Sequence, residues 1–353
     1  MKDNLINISD YEKFVCKHAD PIIDFFNSGA ADQITLKSNT ESFRNIFLKP
    51  RVLKDVSNCS TETNIFGTKI SSPILISPTS CHGLACKEAE IATANASQHH
   101  ETIMVLSMLS NISIEDITRN TDTKLWLQLN LLSKMEFNID MVRRAEKCGF
   151  EAIVITVDGQ YLGLRETDIR NNFSFPKNLK FANLEKYFDE HELYGHGREN
   201  LFLKSMTWKE INWLKSITNL PIILKGILHE NDAKIAIDHG INGIIVSNHG
   251  GRQLDTSLPS IQALKNIAPV IDNKIPVLLD SGIRRGSDIL KAIALGADAV
   301  LIGRPILWGL SANGFDGAKH IFEILRSELI KNMRLCGISS IKELKNAGKE
   351  IIA

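Results

Sequence analysis

The sequence predicts an α/β fold, a (β/α)8 TIM barrel with an N-terminal helical extension and a long loop after its fourth strand. Three observations carry this. Eight short runs rich in β-branched and aliphatic residues recur along the chain, with amphipathic helical segments between them. Most runs are apolar on both faces, as parallel strands covered by helices must be. An open doubly wound sheet would want a Gly-x-Gly-x-x-Gly turn after its first strand. There the chain reads PTSCHGLA, residues 78–85.

Residues 1–71 precede the barrel, and Pro21–Leu36 reads as a helix, a Gly turn and a second helix flanking it. The runs then follow as Pro73–Ser77, Thr102–Leu106, Leu125–Leu129, Ala152–Val157, Pro221–Lys225, Gly243–Ser247, Pro276–Asp280 and Ala299–Ile302. The clearest helices are Glu88–His99, Met135–Cys148, Trp208–Ile217, Asn231–His239, Leu258–Ile267 and Gly286–Leu295. Gly149, Gly240 and Gly296 stand where a left-handed C-cap ends three of them. Residues 166–204 are rich in Asn, Lys and Glu, with Gly195 and Gly197 near the end, and read as a lid or mobile loop. A barrel over 72–335 makes the 353 residues a single domain.

Composition narrows the function. Lys+Arg and Asp+Glu are 41 each, so the chain lacks the basic field of a nucleic-acid binder. Hydrophobic content of 43% excludes a disordered chain. The 6 cysteines have neither zinc spacing nor a disulfide framework. No apolar stretch reaches the roughly 18 residues of a membrane span. The N-terminus lacks a signal core, and Ile351-Ile352-Ala353 is not a Ser-Lys-Leu address, so an intracellular protein is expected.

In a barrel of this type the chemistry sits where the strands end. Nearly every run here ends in a polar or ionisable residue: Thr79 and Ser80, Ser107, Gln128 and Asn130, Thr156 and Asp158, Lys225, Ser247, Asp280, and Gly303 with Arg304. Singly, each is an ordinary capping residue. Converging on one barrel face, they become a site. SGIRRG (281–286) and IGRP (302–305) each combine Gly with Arg, which suits a phosphate: Gly lets backbone N–H groups approach and Arg supplies a fork. His249 and Arg252 read as a proton acceptor beside a carboxylate anchor, with Asp158 placed to support the imidazole. The other histidines have no comparable context. His99-His100 and His191/His196 lack a carboxylate frame, so no metal is expected. Lys225 ends an apolar strand and needs an anionic partner, for which a reduced cofactor would serve. A Schiff-base aldolase using Lys225 is the competing chemistry.

SNHGGRQLD (247–255), LLDSGIRRG (278–286) and IGRPILWGL (302–310) together resemble the FMN-dependent 2-hydroxy acid oxidase and dehydrogenase family. SGAADQ (28–33), LGLRETDIRNNF (162–173) and LPIILKGIL (220–228) extend the likeness over nearly the whole chain, and it is strongest to the long-chain branch. The resemblance implies FMN across the barrel mouth. Its phosphate would lie on Gly282, Arg284, Gly303 and Arg304, its ribityl chain on Asp280, and its ring edge on Ser107, Gln128 and Thr156. Pro78, Thr79 and Ser80 would approach N5, Lys225 would face N1/O2, and Ser247, Ser281 and Ile283 would complete the cofactor site. His249 would be the base, supported by Asp158, and Arg165 and Arg252 would hold the substrate carboxylate. A 2-hydroxy acid would become a 2-oxo acid, by hydride or carbanion. O2 as acceptor would yield H2O2, though a protein or quinone acceptor stays open. A homotetramer and a peroxisomal location are further implications.

Two positions depart from the family. Asn130 stands where a Tyr that bonds the substrate is usual, so a flavoprotein with weak or altered catalysis is an alternative. Losing one such active-site hydrogen bond costs roughly 10²-fold in rate or more. Phe25 replaces a second substrate-binding Tyr and implies a more apolar pocket.

Overall fold

The structure, a computed structural model, describes residues 5–17, 20–194 and 198–353. Gly195, His196 and Gly197 of the expected loop lie outside the described residues. A small antiparallel hairpin, β1 (Thr63–Ile65) and β2 (Thr68–Ile70), precedes the barrel. The barrel strands are β3 (Ile74–Ile76), β4 (Ile103–Ser107), β5 (Lys124–Leu129), β6 (Ala152–Thr156), β7 (Ile222–Ile227), β8 (Gly243–Val246), β9 (Val277–Leu279) and β10 (Ala299–Ile302). All pair in parallel, and β10 closes on β3.

Alternation along these strands builds two cores. Outward residues such as Met104, Leu106, Leu125 and Leu127 pack under the helices. Inward residues form a separate cluster: Leu75, Val105, Trp126, Val154, Ile223, Ile245, Leu278 and Leu301. Ile65 and Ile70 of the hairpin join it, and Phe66 meets the Trp126 ring edge-on at 5.6 Å. The hairpin thus plugs the lower end of the barrel.

The helices follow their local signals. Trp208–Ile217 starts with a Thr207/Glu210 capping box, and Gly149, Gly240 and Gly296 all have positive φ past helix ends. Pro21–Asn27 and Ile34–Arg44 are the N-terminal pair, the second running beyond its expected end at Leu36.

The long segment after β6 carries short elements of its own: helices at Glu166–Arg170 and Glu190–Tyr194 and a 3-10 turn at Arg198–Leu201. Its scattered apolar residues Phe181, Leu184, Phe188, Leu193 and Phe202 are buried in the outer core. Asn183 is buried as well, accepting from Ile114 N and donating to the Ser110 hydroxyl. Such anchors hold a polar-looking segment against the barrel flank.

Candidate active site

The parity that fills the barrel core also builds the site. Two residues beyond each inward core residue, the strands present Ser77, Ser107, Gln128, Thr156, Lys225, Ser247, Asp280 and Gly303. An apolar layer is therefore capped by a polar one. Gln128 donates from Nε2 to the Thr156 hydroxyl at 2.9 Å. Lys225 Nζ lies 3.2 Å from Asp280 Oδ2 and donates to Ser247 Oγ at 3.0 Å. The anion Lys225 required is thus the Asp280 carboxylate, supplied by the chain itself and not only by a cofactor. An ammonium held this way has no lone pair for Schiff-base attack on a carbonyl.

Above this layer opens a pocket whose wall includes Phe25, Pro78, Thr79, Ser80, Asn130 and Arg165. His249, Arg252, Ser281, Gly282, Ile283, Arg284 and Arg304 complete its polar side. Ser247 and Asp158 do not reach the wall. Ser247 is fully buried and accepts from the His249 backbone N–H at 3.0 Å, so it supports the site from behind.

His249 is held in a left-handed backbone with φ 58, followed by Gly250 and Gly251 at 66 and 74. That run turns the chain sharply enough to aim the imidazole back over the barrel. Its Nδ1 lies 3.0 Å from Asp158 Oδ1. An ionised carboxylate only accepts, so Nδ1 carries the proton and Nε2 keeps its lone pair. Burial lowers the His249 pKa, and Lys225 and Arg165 lower it further, while Asp158 opposes them. The ring is therefore neutral near neutral pH. Burial alone would raise the Asp158 carboxyl, but His249 and Lys225 hold it below its usual value. Asp158 Oδ2 has no hydrogen-bond partner among the described residues. Space for Asp158 comes from Gly226, at φ 111 in a bulge of β7: a Cβ there would lie 2.6 Å from the carboxylate carbon.

Four guanidinium groups, those of Arg165, Arg252, Arg284 and Arg304, crowd the rest of the site. Arg252 donates to the carbonyls of Phe25 and Ser28 at 2.7 and 2.8 Å and lies over the Phe25 ring. Its pKa is well below the usual value because of burial and the repulsion of Arg165 and Arg304. Arg304 donates to the carbonyls of Phe26, Gly250 and Ser28. Burial and Arg284 push it down to about 9. Both arginines thus brace the N-terminal segment, an engagement the sequence did not reveal, yet each keeps N–H groups beyond those bonds. Arg284 stacks on Trp308 at 4.7 Å. Crowded, desolvated cations of this kind are relieved by bound anions. One such anion fits the Arg284–Arg304 end, beside Gly282 and Gly303. Another fits between Arg252 and Arg165, beside His249. FMN fits this arrangement, with phosphate at the first position and the polar strand ends along its ring.

The remaining wall is apolar. Phe25 stacks on Phe173 at 4.4 Å, with Phe175 edge-on to both. Leu162, Phe181, Leu184, Leu193, Leu201 and Phe202 carry that surface outward. Asn130 stands at its inner edge, near enough to Gly159 that a Cβ there would lie 2.9 Å from Asn130 Oδ1.

The sequence reading passed over one residue, His82. Its Nε2 lies 2.6 Å from the Thr79 hydroxyl, and its Nδ1 lies 2.7 Å from the Thr93 hydroxyl. It is buried directly behind a residue of the pocket wall. No local signal marked it: the turn that brings it to Thr79 passes through Cys81 in the left-handed region, with φ 60, and not through a helix.

The family described as FMN-dependent dehydrogenase matches residues 17–350. A peroxisomal (S)-2-hydroxyacid oxidase of Arabidopsis thaliana is 44% identical over 350 residues, covering 97% of this chain and 95% of that protein. A 2-hydroxyacid oxidase of Dictyostelium discoideum is 45% identical over 327 residues, covering 92% and 84%. A crystal structure of mandelate oxidase is similar with TM-score 0.90 and 36% identity, over 96% of this chain and 97% of that one.

Proposed function

The chain belongs to the FMN-dependent dehydrogenase family, and on that premise we propose that it oxidises (S)-2-hydroxy acids to 2-oxo acids, with O2 as the final acceptor and H2O2 as product. The observation that carries this reading is the neutral His249, oriented by Asp158 at 3.0 Å, beside Arg252 in one pocket. When bound, FMN supplies the two-electron acceptor.

The chain's own residues do the rest. Arg252 and Arg165 bind the substrate carboxylate and orient the α-carbon. His249 Nε2 takes a proton from the substrate, and Asp158 stabilises the imidazolium that results. Lys225, anchored by Asp280, places positive charge beneath the pocket, where it would lie against the cofactor ring and favour the negative charge of the reduced form. Arg284 and Arg304 hold the phosphate.

The apolar outer wall supports substrates with an extended apolar side chain, and the shorter Asn130 leaves room at its inner edge. Asn130 retains an amide N–H₂ that can donate to the substrate, and this keeps the pocket competent in place of a phenol. Peroxisomal residence accompanies this reading, by analogy with the peroxisomal oxidases of Arabidopsis thaliana, and a homotetramer is proposed on the family resemblance alone. Among the described residues no helix is long and apolar enough to cross a membrane.

The test is to add 2-hydroxy acids of increasing chain length to the FMN-loaded protein without oxygen. Bleaching of the flavin absorbance is expected, faster for longer side chains, with colour restored and peroxide formed on admitting air. A flavin that no hydroxy acid bleaches would overturn the substrate assignment. Bleaching that air does not reverse would overturn O2 as the acceptor.

A further inference from the structure

Outside the pocket, the helix Ala89–His99 ends against the long C-terminal helix Arg304–Leu335. At this junction His99, His100 and Glu323 each offer a ligand atom, and the three atoms lie within 4.8 Å of one another. The sequence reading set the His99-His100 pair aside for want of a carboxylate. Folding supplies one from Glu323, far along the chain.

His100 is built as a metal-binding imidazole would be. Its ring is buried and stacks on Phe322 at 5.0 Å. Its Nε2 lies 3.0 Å from the Lys319 carbonyl, an acceptor, so the ring proton sits on Nε2 and Nδ1 keeps its lone pair. Giving the other ring N–H to a backbone carbonyl is the usual way a metal-ligating imidazole is oriented. The C-terminal end of the Ala89–His99 helix adds partial negative charge next to the cluster.

Two cations face the same point. Lys319 pairs with Glu323 at 3.6 Å, and Arg326 acts on His100. Two nitrogens and one carboxylate suit zinc-class ions, not magnesium or calcium. Around zinc, ligand atoms stand about 3.4 Å apart, given metal–ligand distances near 2.1 Å. Reaching that spacing requires movement of His99 and Glu323, both exposed, while the buried His100 stays in place.

We propose that His99, His100 and Glu323 form a zinc-class divalent metal site that ties the helix following β3 to the C-terminal helix, with water as a fourth ligand. This site is independent of the flavin pocket.

The experiment is calorimetric titration of chelator-treated, FMN-loaded protein with Zn²⁺, together with thermal unfolding. One ion should bind per chain with a Kd below about 100 µM and raise the unfolding midpoint. His99→Ala and Glu323→Gln, both at exposed positions, should each weaken binding by about tenfold or more and abolish that rise. Lys319→Met removes the competing ammonium and should tighten binding several-fold. Mg²⁺ should have no effect. Binding that is equally tight in His99→Ala and Glu323→Gln would place the ion elsewhere, for instance on the thiols. That outcome, or no saturable binding, overturns the proposal.

Discussion

The two ends of the barrel interior share strands, register and burial, yet carry opposite chemistry. In the lower layer Trp126, Val154, Ile223 and Leu278 pack tightly over the Phe66 hairpin. One inward step higher, Gln128, Thr156, Lys225 and Asp280 are also under 6% exposed, but every one is polar and bonded to another polar group. The difference teaches that burial alone does not separate scaffold from site here. What separates them is which end of the strand a buried residue occupies. The polar layer is maintained by pairing, since an isolated buried charge would be untenable. If this division holds, substitutions of the groups that face the pocket above the paired layer should change chemistry with little effect on stability, and those in the lower layer the reverse.

The largest effect is expected at His249. His249→Gln should lower turnover by about 10²- to 10⁴-fold, the usual range for losing a general base. FMN content and thermal midpoint should stay near wild type. Full turnover with bound FMN would remove His249 from the proton-transfer role. The pH dependence sharpens the same point. The base acts only as neutral imidazole, and burial places its pKa below the ordinary 6.5. The acid limb of kcat/KM should therefore fall away below pH 6.5, with a plateau above it. Asp158→Asn removes the attraction that raises the His249 pKa, so the limb should move to still lower pH while the rate drops. A limb that stays in place in Asp158→Asn would belong to another group.

The counterpart in the lower layer is Leu278, two residues before Asp280 and fully buried. Leu278→Ala should cost about 2–5 kcal/mol of stability through lost transfer energy and a residual cavity. Denaturant unfolding measures this directly. At a temperature where the variant is folded, its kcat should be within about twofold of wild type, since no group touching substrate is altered. A large fall in kcat with unchanged stability would break the division between the layers.

Much of this architecture was legible because short apolar, β-branched runs and amphipathic segments are local signals. All eight barrel strands lie within one or two residues of the expected runs. The strand-end rule then gathered Gln128, Lys225, His249, Asp280 and Arg304 before any contact was known. What was not legible depends on contacts between distant residues. The hairpin strands, Thr63–Ile65 and Thr68–Ile70, carry one aliphatic residue each and so make no apolar run. The helix beginning at Arg304 is broken at Asn313 and Gly314, which obscures its amphipathic pattern. The buried anchors of 166–204 sit among Asn, Lys and Glu, so composition pointed to a loop. Pairing of Lys225 with Asp280, and of Arg252 with the carbonyls of Phe25 and Ser28, joins segments that only folding brings together.

His82 offers the smallest effect and the finest test of the boundary between the layers. It belongs to neither, yet it touches the upper one through Thr79. Burial lowers its pKa despite the nearby Glu90, so the ring is neutral. A neutral imidazole donates through one nitrogen and accepts through the other, which satisfies both threonine hydroxyls at once. Glu90 fixes the turn itself, accepting from the backbone N–H groups of His82, Asn111 and Ile112 at 3.0, 3.1 and 3.2 Å. His82→Ala leaves the buried Thr93 hydroxyl without this partner, at about 1–3 kcal/mol if it finds no other, while the Thr79 hydroxyl can turn to the open pocket. Freed from the ring, Thr79 should hold the pocket wall less firmly, and FMN affinity should fall by several-fold. His82→Gln, which can replace one of the two bonds, should recover part of the affinity. Thr93→Val loses only the outer bond and should change affinity less than His82→Ala. Fluorescence titration of the apoprotein with FMN measures all three. If the His82→Ala protein loses stability but binds FMN as tightly as wild type, the histidine is a core residue alone and the boundary lies at Thr79.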